Sequence, residues 1–205
     1  MLKEKNFKRS RKYTPYHCKS KMKLILGWGI YMKKINILLI VILLLLVSSL
    51  ASGSYFTRET NFMYETGIRV TENNQVIMCH IFNDIPIGIA VWSSNNHISN
   101  CIFISCSDEG ILLFGSNNTV RNCVFYQCCD GIELQESSNN LFINCAFLIN
   151  SHAAIDGIIN GNNNNSFVSC VFYDNMMGVY FSQSENNEFV NCTFLDNGID
   201  VRERI

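Results

Sequence analysis

From Gly67 onward, apolar and polar residues alternate with period two over short stretches, as in Gly131-Ile132-Glu133-Leu134 and Cys145-Ala146-Phe147. That period belongs to short β-strands, not to the 3.6-residue period of helices. The strands are separated by asparagines, which tolerate the left-handed backbone region and so suit tight corners.

The alternation is itself periodic. The second asparagine of an Asn-Asn pair recurs at Asn74, Asn96, Asn118, Asn140, Asn165 and Asn187, at spacings of 22, 22, 22, 25 and 22. Five residues after each comes a cysteine: Cys79, Cys101, Cys123, Cys145, Cys170 and Cys192. Two further on stand Ile81, Phe103, Phe125, Phe147, Phe172 and Phe194. A glycine followed by Ile or Val opens each unit, at Gly67, Gly88, Gly110, Gly131, Gly157 and Gly178, with Gly198 beginning a seventh.

A unit near 22 residues is too short for helical repeats and has too few leucines in register for a leucine-rich repeat. The pattern predicts an all-β parallel β-helix of about six coils, with roughly three strands per coil, and the usual chirality of the fold makes it right-handed. Each coil rises ~4.8 Å, giving a rod roughly 30 Å long. Stacked corners let asparagine side chains bond along the axis. Val76, Ile98, Val120, Phe142, Phe167 and Phe189 are expected to point inward with the cysteine and phenylalanine ladders.

Ser137-Ser138-Asn139-Asn140 and Asn144-Cys145-Ala146-Phe147 closely match a known repeat unit, G-I-x-L-x-x-S-x-N-N-x-I-x-N-N-x-F. Over residues 67–201 the chain thus resembles the NosD-like, pectin-lyase-like right-handed parallel β-helix repeat family. The resemblance is specific for fold and weak for activity. It implies a range running from polysaccharide lyases and hydrolases to surface proteins and a copper-processing maturation factor.

Composition changes the picture at the N-terminus. Residues 1–34 hold eleven of the sixteen basic residues, every lysine among them, and one acid, for a charge of +10; residues 35–205 carry −11. A lysine-free acidic body argues against nucleic-acid binding, since phosphate neutralisation needs a basic surface. Residues 32–53 have a positive start, an apolar run over 35–50 and small residues at Ser49 and Ala51, the layout of a signal peptide. The alternative is an uncleaved membrane anchor, although the apolar run is short of the roughly 20 residues a bilayer core needs. Residues 1–31 read as a basic leader, an over-extended gene start with Met32 as the biological one. Residues 54–66 read as an N-terminal cap, and 67–205 as the repeat domain. The expected location is secreted, periplasmic or on the cell surface, with membrane anchoring by 35–50 as the alternative.

Ten cysteines suggest a disulfide scaffold, but one per coil in a ladder fits buried free thiols better. Ladder neighbours have parallel Cβ vectors, poorly set for the disulfide dihedral. Cys106, Cys128 and Cys129 fall in the slot that Asn150, Asn175 and Asn197 fill elsewhere, and any reactive thiol is expected there.

Carboxylates gather before the opening glycines: Asp108 and Glu109, Asp130 and Asp156. Stacked about 5 Å apart, such acids repel, raise one another's pKa or bind a cation. Asp108, Glu109, Asp130 and Asp156 are therefore the metal candidates, with Ca2+ as the ion. Copper would need convergent His, Met or Cys, whereas His80, His97 and His152 occupy different slots of the repeat. No cofactor is required by the pattern. Asn150-Ser151-His152-Ala153-Ala154-Ile155-Asp156 reads as the one bulge, since that unit has three extra residues. Loops of this kind carry function in solenoids, so Asp130, His152 and Asp156 are the catalytic candidates.

Outward aromatic residues on the Gly-Ile strand, Trp92, Phe114 and Tyr180, are candidates for stacking on sugars. The Cys-x-Phe strand is apolar outside as well, at Ile102/Ile104, Val124/Tyr126, Ala146/Leu148 and Val171/Tyr173. Either a partner or self-association covers that stripe, or its second members turn inward. The expected function is that of an exported, non-catalytic β-helix binding a polysaccharide, a surface protein or another cell-surface component. The alternatives are a small polysaccharide-active enzyme using the acidic corner, and a copper-processing NosD-like periplasmic factor.

Overall fold

The computed structural model describes residues 66–204, so the leader, the signal or anchor stretch and nearly all of the expected cap lie outside the described residues. Nineteen strands follow one another, with no helix among the described residues. The first coil is β1 (Thr66–Val70), β2 (Val76–Met78) and β3 (Ile81–Asn83); the second is β4 (Ile87–Val91), β5 (His97–Ser99) and β6 (Ile102–Ile104). The third is β7 (Glu109–Leu113), β8 (Thr119–Arg121) and β9 (Val124–Tyr126), and the fourth β10 (Asp130–Leu134), β11 (Leu141–Ile143) and β12 (Ala146–Leu148). The fifth is β13 (Ala153–Gly157), β14 (Ser166–Val168) and β15 (Val171–Tyr173). The sixth is β16 (Met177–Ser182), β17 (Glu188–Val190) and β18 (Thr193–Leu195), and β19 (Ile199–Arg204) begins a seventh.

Each strand pairs in parallel with its counterpart one coil away. The result is a seven-stranded first sheet (β1-β4-β7-β10-β13-β16-β19) and two six-stranded sheets, the second running from β2 to β17 and the third from β3 to β18. This is the expected parallel β-helix.

The corners follow from backbone sterics. The left-handed region costs an ordinary L-residue roughly 1–2 kcal/mol, and Asn is among the few residues that visit it readily. One column of corners is Asn74, Asn95, Asn117, Asn139, Asn164 and Asn186, all at positive φ. A second is Cys79, Asn100, Asn122, Asn144, Ser169 and Asn191, and a third Asp84, Ser105, Gln127, Ile149, Asp174 and Asp196. Beside the first column runs the buried amide ladder: Asn96 N–H donates to Asn118 Oδ1 at 2.8 Å, and Asn118 N–H to Asn140 Oδ1 at 2.8 Å. Asn140 N–H then donates to Asn165 Oδ1 at 2.9 Å. These bonds satisfy backbone groups that the sheets cannot reach.

Inside, phenylalanine rings stack coil on coil. Centroids are 5.0 Å apart for Phe82–Phe103, 4.7 Å for Phe103–Phe125, 4.8 Å for Phe125–Phe147 and 5.0 Å for Phe147–Phe172. The strand spacing sets that distance, and the rings fill the core at near-contact. The opening glycine lies over this stack: a Cβ on Gly88 would sit 2.5 Å from the Phe103 ring and 2.5 Å from the Gly110 carbonyl oxygen.

The first coil corrects the expected register. Val76 pairs with His97 and Ile77 with Ile98, so equivalent residues are 21 apart there, not 22. Gln75, not Asn74, therefore stands in the amide ladder, and its N–H donates to Asn96 Oδ1 at 2.8 Å. Asn74 and Cys79 are corner residues, each one place ahead of the ladder expected for it. His80 holds the slot of Cys101, Phe82 rather than Ile81 joins the ring stack, and Val76 is exposed while Ile77 is buried. The other expected ladder cysteines hold their column, with Cys101, Cys123, Cys145 and Cys170 buried and Cys192 half-buried, all as free thiols.

Cys106 and Cys128 are also corrected. They take the Asn150 slot as expected, but both are buried in the core, and Cys128 N–H donates to Asn150 Oδ1 at 3.0 Å. The contact with Cys128 and burial push the Cys106 thiol well up, so it is inert.

Candidate acidic site on the first sheet

The outer face of the first sheet presents columns of side chains along the rod. One column runs Ile87, Glu109, Asp130, Ala153 and Met177, and a second Ala90, Leu112, Glu133, Asp156 and Tyr180. Asp156 is thus in register with Glu133, and Ala153 with Asp130. The expected stack of acids before successive glycines holds for Glu109 and Asp130 and ends there. Ala154, not Gly157, occupies the opening-glycine slot of the fifth coil, and Asp200, not Gly198, that of the seventh.

The cause is an insertion split in two. Asn150 follows Cys128 by 22 residues, but Ala153 follows Asp130 by 23. One residue has therefore been added at the corner before β13, and it is His152. The other two lie in the corner between β13 and β14. The expected single bulge over 150–156 is in fact one extra residue, which shifts the strand and places an imidazole beside the carboxylates.

His152 Nδ1 lies 2.8 Å from Asp130 Oδ1 and 3.7 Å from Asp156 Oδ2. Asp130 Oδ1 also accepts the Ala153 N–H at 2.8 Å. Ligating atoms of Asp130, His152 and Asp156 all lie within 4.8 Å of one another. Glu133 stands beside Asp156 and accepts a hydrogen bond from the Gln135 amide. Glu109, Asp130, Glu133 and Asp156 are all buried, and His152 is the half-buried edge of the group. Asp156 Oδ1 and Glu109 Oε2 are buried without a hydrogen-bond partner.

This concentration of buried acids shows in the titrations. Burial, with Glu133 and other acids beside it, pushes the Glu109 carboxyl up to about 12, so it holds its proton at neutral pH. Burial and the Asp130 charge raise Asp156 to about 7, opposed by His152. The hydrogen bond to Asp130 raises His152 despite its partial burial.

The three catalytic candidates therefore come together. Of the four metal candidates, Asp130 and Asp156 join the group with His152, whereas Asp108 and Glu109 lie outside it. His80 and His97 are elsewhere, at a corner of the first coil and on the second sheet. Sequence reasoning missed Glu133 and Gln135; aligning the core residues Ile132 and Ile155 instead of the glycines would have found them.

Toward the N-terminal end of the same face, Trp92 and Phe114 stack with centroids 5.6 Å apart. Arg69, from the preceding coil, lies 4.7 Å from the Trp92 ring centre. Arg69 and Phe114, from the coils on either side, thus pack against the indole, which stays 41% exposed. Tyr180 is covered in the same way by Arg202, at 5.6 Å. On the third sheet, Ile102, Val124, Leu148 and Tyr173 form an apolar cluster of their own, separate from the core, so the second members of that stripe do not turn inward.

Residues 66–203 match the family described as a right-handed beta helix region. No curated protein matches the chain. Among solved structures, full-length tailspike protein 2 (TSP2, ORF211) from Escherichia coli O157:H7 bacteriophage CAB120 is 15% identical with a TM-score of 0.49. The match covers 73% of this chain and 26% of the tailspike. QnrB1, a plasmid-mediated fluoroquinolone resistance protein, is 12% identical with a TM-score of 0.23, over 63% of this chain and 89% of that one.

Proposed function

The chain belongs to the right-handed β-helix family, and on that premise we propose that it is an exported, non-catalytic repeat protein whose first-sheet outer face binds a carbohydrate or another cell-surface component. The observation that carries this reading is the register of that face. Trp92, 41% exposed, and the half-buried Phe114 follow directly on β4 and β7, on the face where His152 edges the buried group of Gln135, Glu133 and Asp156. Sugars offer apolar C–H patches and hydroxyls, which an aromatic edge and a half-buried imidazole match. Contact would fall on ring edges, because the ring faces are already taken by Arg69 and by each other. Export rests on the signal-like stretch 32–53.

A non-catalytic role is supported by the tightness of the acidic group. Glycosidases hold two carboxyls about 5–9.5 Å apart with a glycosidic bond or water between them. Here the His152 imidazole bridges Asp130 and Asp156, in the place where the glycosidic bond or water would have to sit. Glu109, pushed up to about 12, is protonated and cannot serve as a base.

A second reading, a polysaccharide-active enzyme, is favoured by one observation: Asp156 at about 7 has the value of a general acid near neutrality. A glycan array followed by a reducing-sugar assay separates the two. Binding without turnover supports the first reading. Turnover abolished by Asp156→Asn supports the second.

A further inference from the structure

We infer that Asp130, His152 and Asp156 form a site for a single first-row divalent metal ion of the zinc or cobalt type. The inference does not depend on carbohydrate binding.

Three observations converge. The first is geometry: the imidazole nitrogen of the corner residue His152 and carboxylate oxygens from the adjacent strands β10 and β13 lie within 4.8 Å of one another. Metal–ligand bonds of about 2.0–2.2 Å set tetrahedral ligand atoms roughly 3.4 Å apart, so the His152–Asp130 pair would open slightly and the widest pair would close by at most about 1.4 Å. The second is the orphaned oxygen. Asp156 faces His152 through Oδ2, while its Oδ1 is buried with no partner, in a side chain only 6% exposed. A buried carboxylate oxygen left without a donor is unfavourable, and a cation held by both oxygens of Asp156 would give it a partner. The third is charge. Asp130, Glu133 and Asp156 crowd one sheet face, and among these packed groups His152 is the one that can carry positive charge.

The ligand set selects the ion. Calcium wants six to eight oxygens and does not favour imidazole. One nitrogen and two carboxylates suit Zn2+, Co2+ or Mn2+. His152 is also the most accessible member, with its side chain 38% exposed, which leaves a way in for the ion. Asp130 Oδ1 is held by the Ala153 N–H, and Glu133 by Gln135, so the carboxylates are oriented in advance.

Co2+ titration of the purified full chain tests this, because cobalt reports its ligands by absorption. One Co2+ per chain is expected, with d–d bands and no thiolate-to-cobalt charge-transfer band. Zn2+ should displace it, and Ca2+ should not. His152→Ala and Asp156→Asn should each weaken binding by about tenfold or more, since even outer-shell changes cost that much. Asp156→Asn is nearly isosteric, and circular dichroism would verify that each variant keeps its strands. The inference is overturned by the absence of saturable binding to the folded chain, by displacement with Ca2+, or by unchanged affinity in both variants. A thiolate band would also overturn it, placing the ion on a cysteine such as Cys129.

Discussion

His152 Nδ1 meets Asp130 Oδ1 at 2.8 Å across two successive coils because His152 is the single residue added before β13. Without that insertion, Asp156 would stand in a different register and the imidazole would have no place on the sheet. One inserted residue thus supplies both the imidazole and the shift that brings Asp156 beside Glu133.

The buried acids make stability depend on pH. Asp156 and Glu109 have folded values raised to about 7 and about 12, so the folded chain binds protons more tightly than the unfolded chain. Their contribution is fully present below about pH 4 and is lost as pH rises, for Asp156 through about 7 and for Glu109 on toward 12. His152, raised by Asp130, has the same sign. Asp108, Asp130 and Glu133 face these groups and add repulsion as protons leave. In EDTA, the midpoint of thermal unfolding should fall by ~5 °C or more between pH 5 and pH 9. A midpoint that is flat or rises over that range contradicts the burial of these acids.

Asp156→Asn removes one of the buried charges while keeping its shape. The variant should be more stable than the parent at pH 8 in EDTA, by about 1–3 kcal/mol in urea unfolding. Equal or lower stability would mean that the Asp156 carboxylate has a compensating partner.

Ile149 sits at a third-column corner with φ of 58°, where a β-branched side chain is strained. Neighbouring coils place Gln127 and Asp174 there. Ile149→Asn should therefore stabilise the rod by about 1 kcal/mol. Chemical denaturation would measure it, and a loss of stability would show that Ile149 contributes more by packing than it costs in strain.

Much of the fold was legible because a solenoid repeats its constraints. Each coil needs left-handed corners, supplied mostly by asparagine, and an inward ring, supplied in all six coils by phenylalanine. Register was less legible where two residues could serve one slot. Asn73-Asn74-Gln75 aligns equally well by its second asparagine as by its corner, and only the strand pairing of Val76 with His97 decides between them. Gly157 misled for a similar reason: it follows an acid and precedes isoleucine like a true opening glycine, yet it pairs with Phe181. The site was read as residues and not as geometry, because an insertion divided between two corners looks in sequence like one bulge.

Thiol accessibility tests the ladder. Cys101, Cys106, Cys123, Cys128, Cys145 and Cys170 are buried, while Cys79, Cys129 and Cys192 are half-buried. With Cys18 of the leader, at most four of the ten cysteines should label rapidly in the native state, and all ten should label in denaturant. Rapid native labelling of more than four would refute the buried ladder.

The claim that the first-sheet face is a binding surface is tested most directly by the fluorescence of Trp92. The chain has two tryptophans, so a Trp28→Phe background leaves Trp92 as the sole reporter. Titration with an oligosaccharide selected on the array should change that emission saturably, and Trp92→Ala should weaken binding by about tenfold or more. Saturable binding that leaves the emission unchanged and survives Trp92→Ala at full affinity would place the ligand elsewhere and contradict the account.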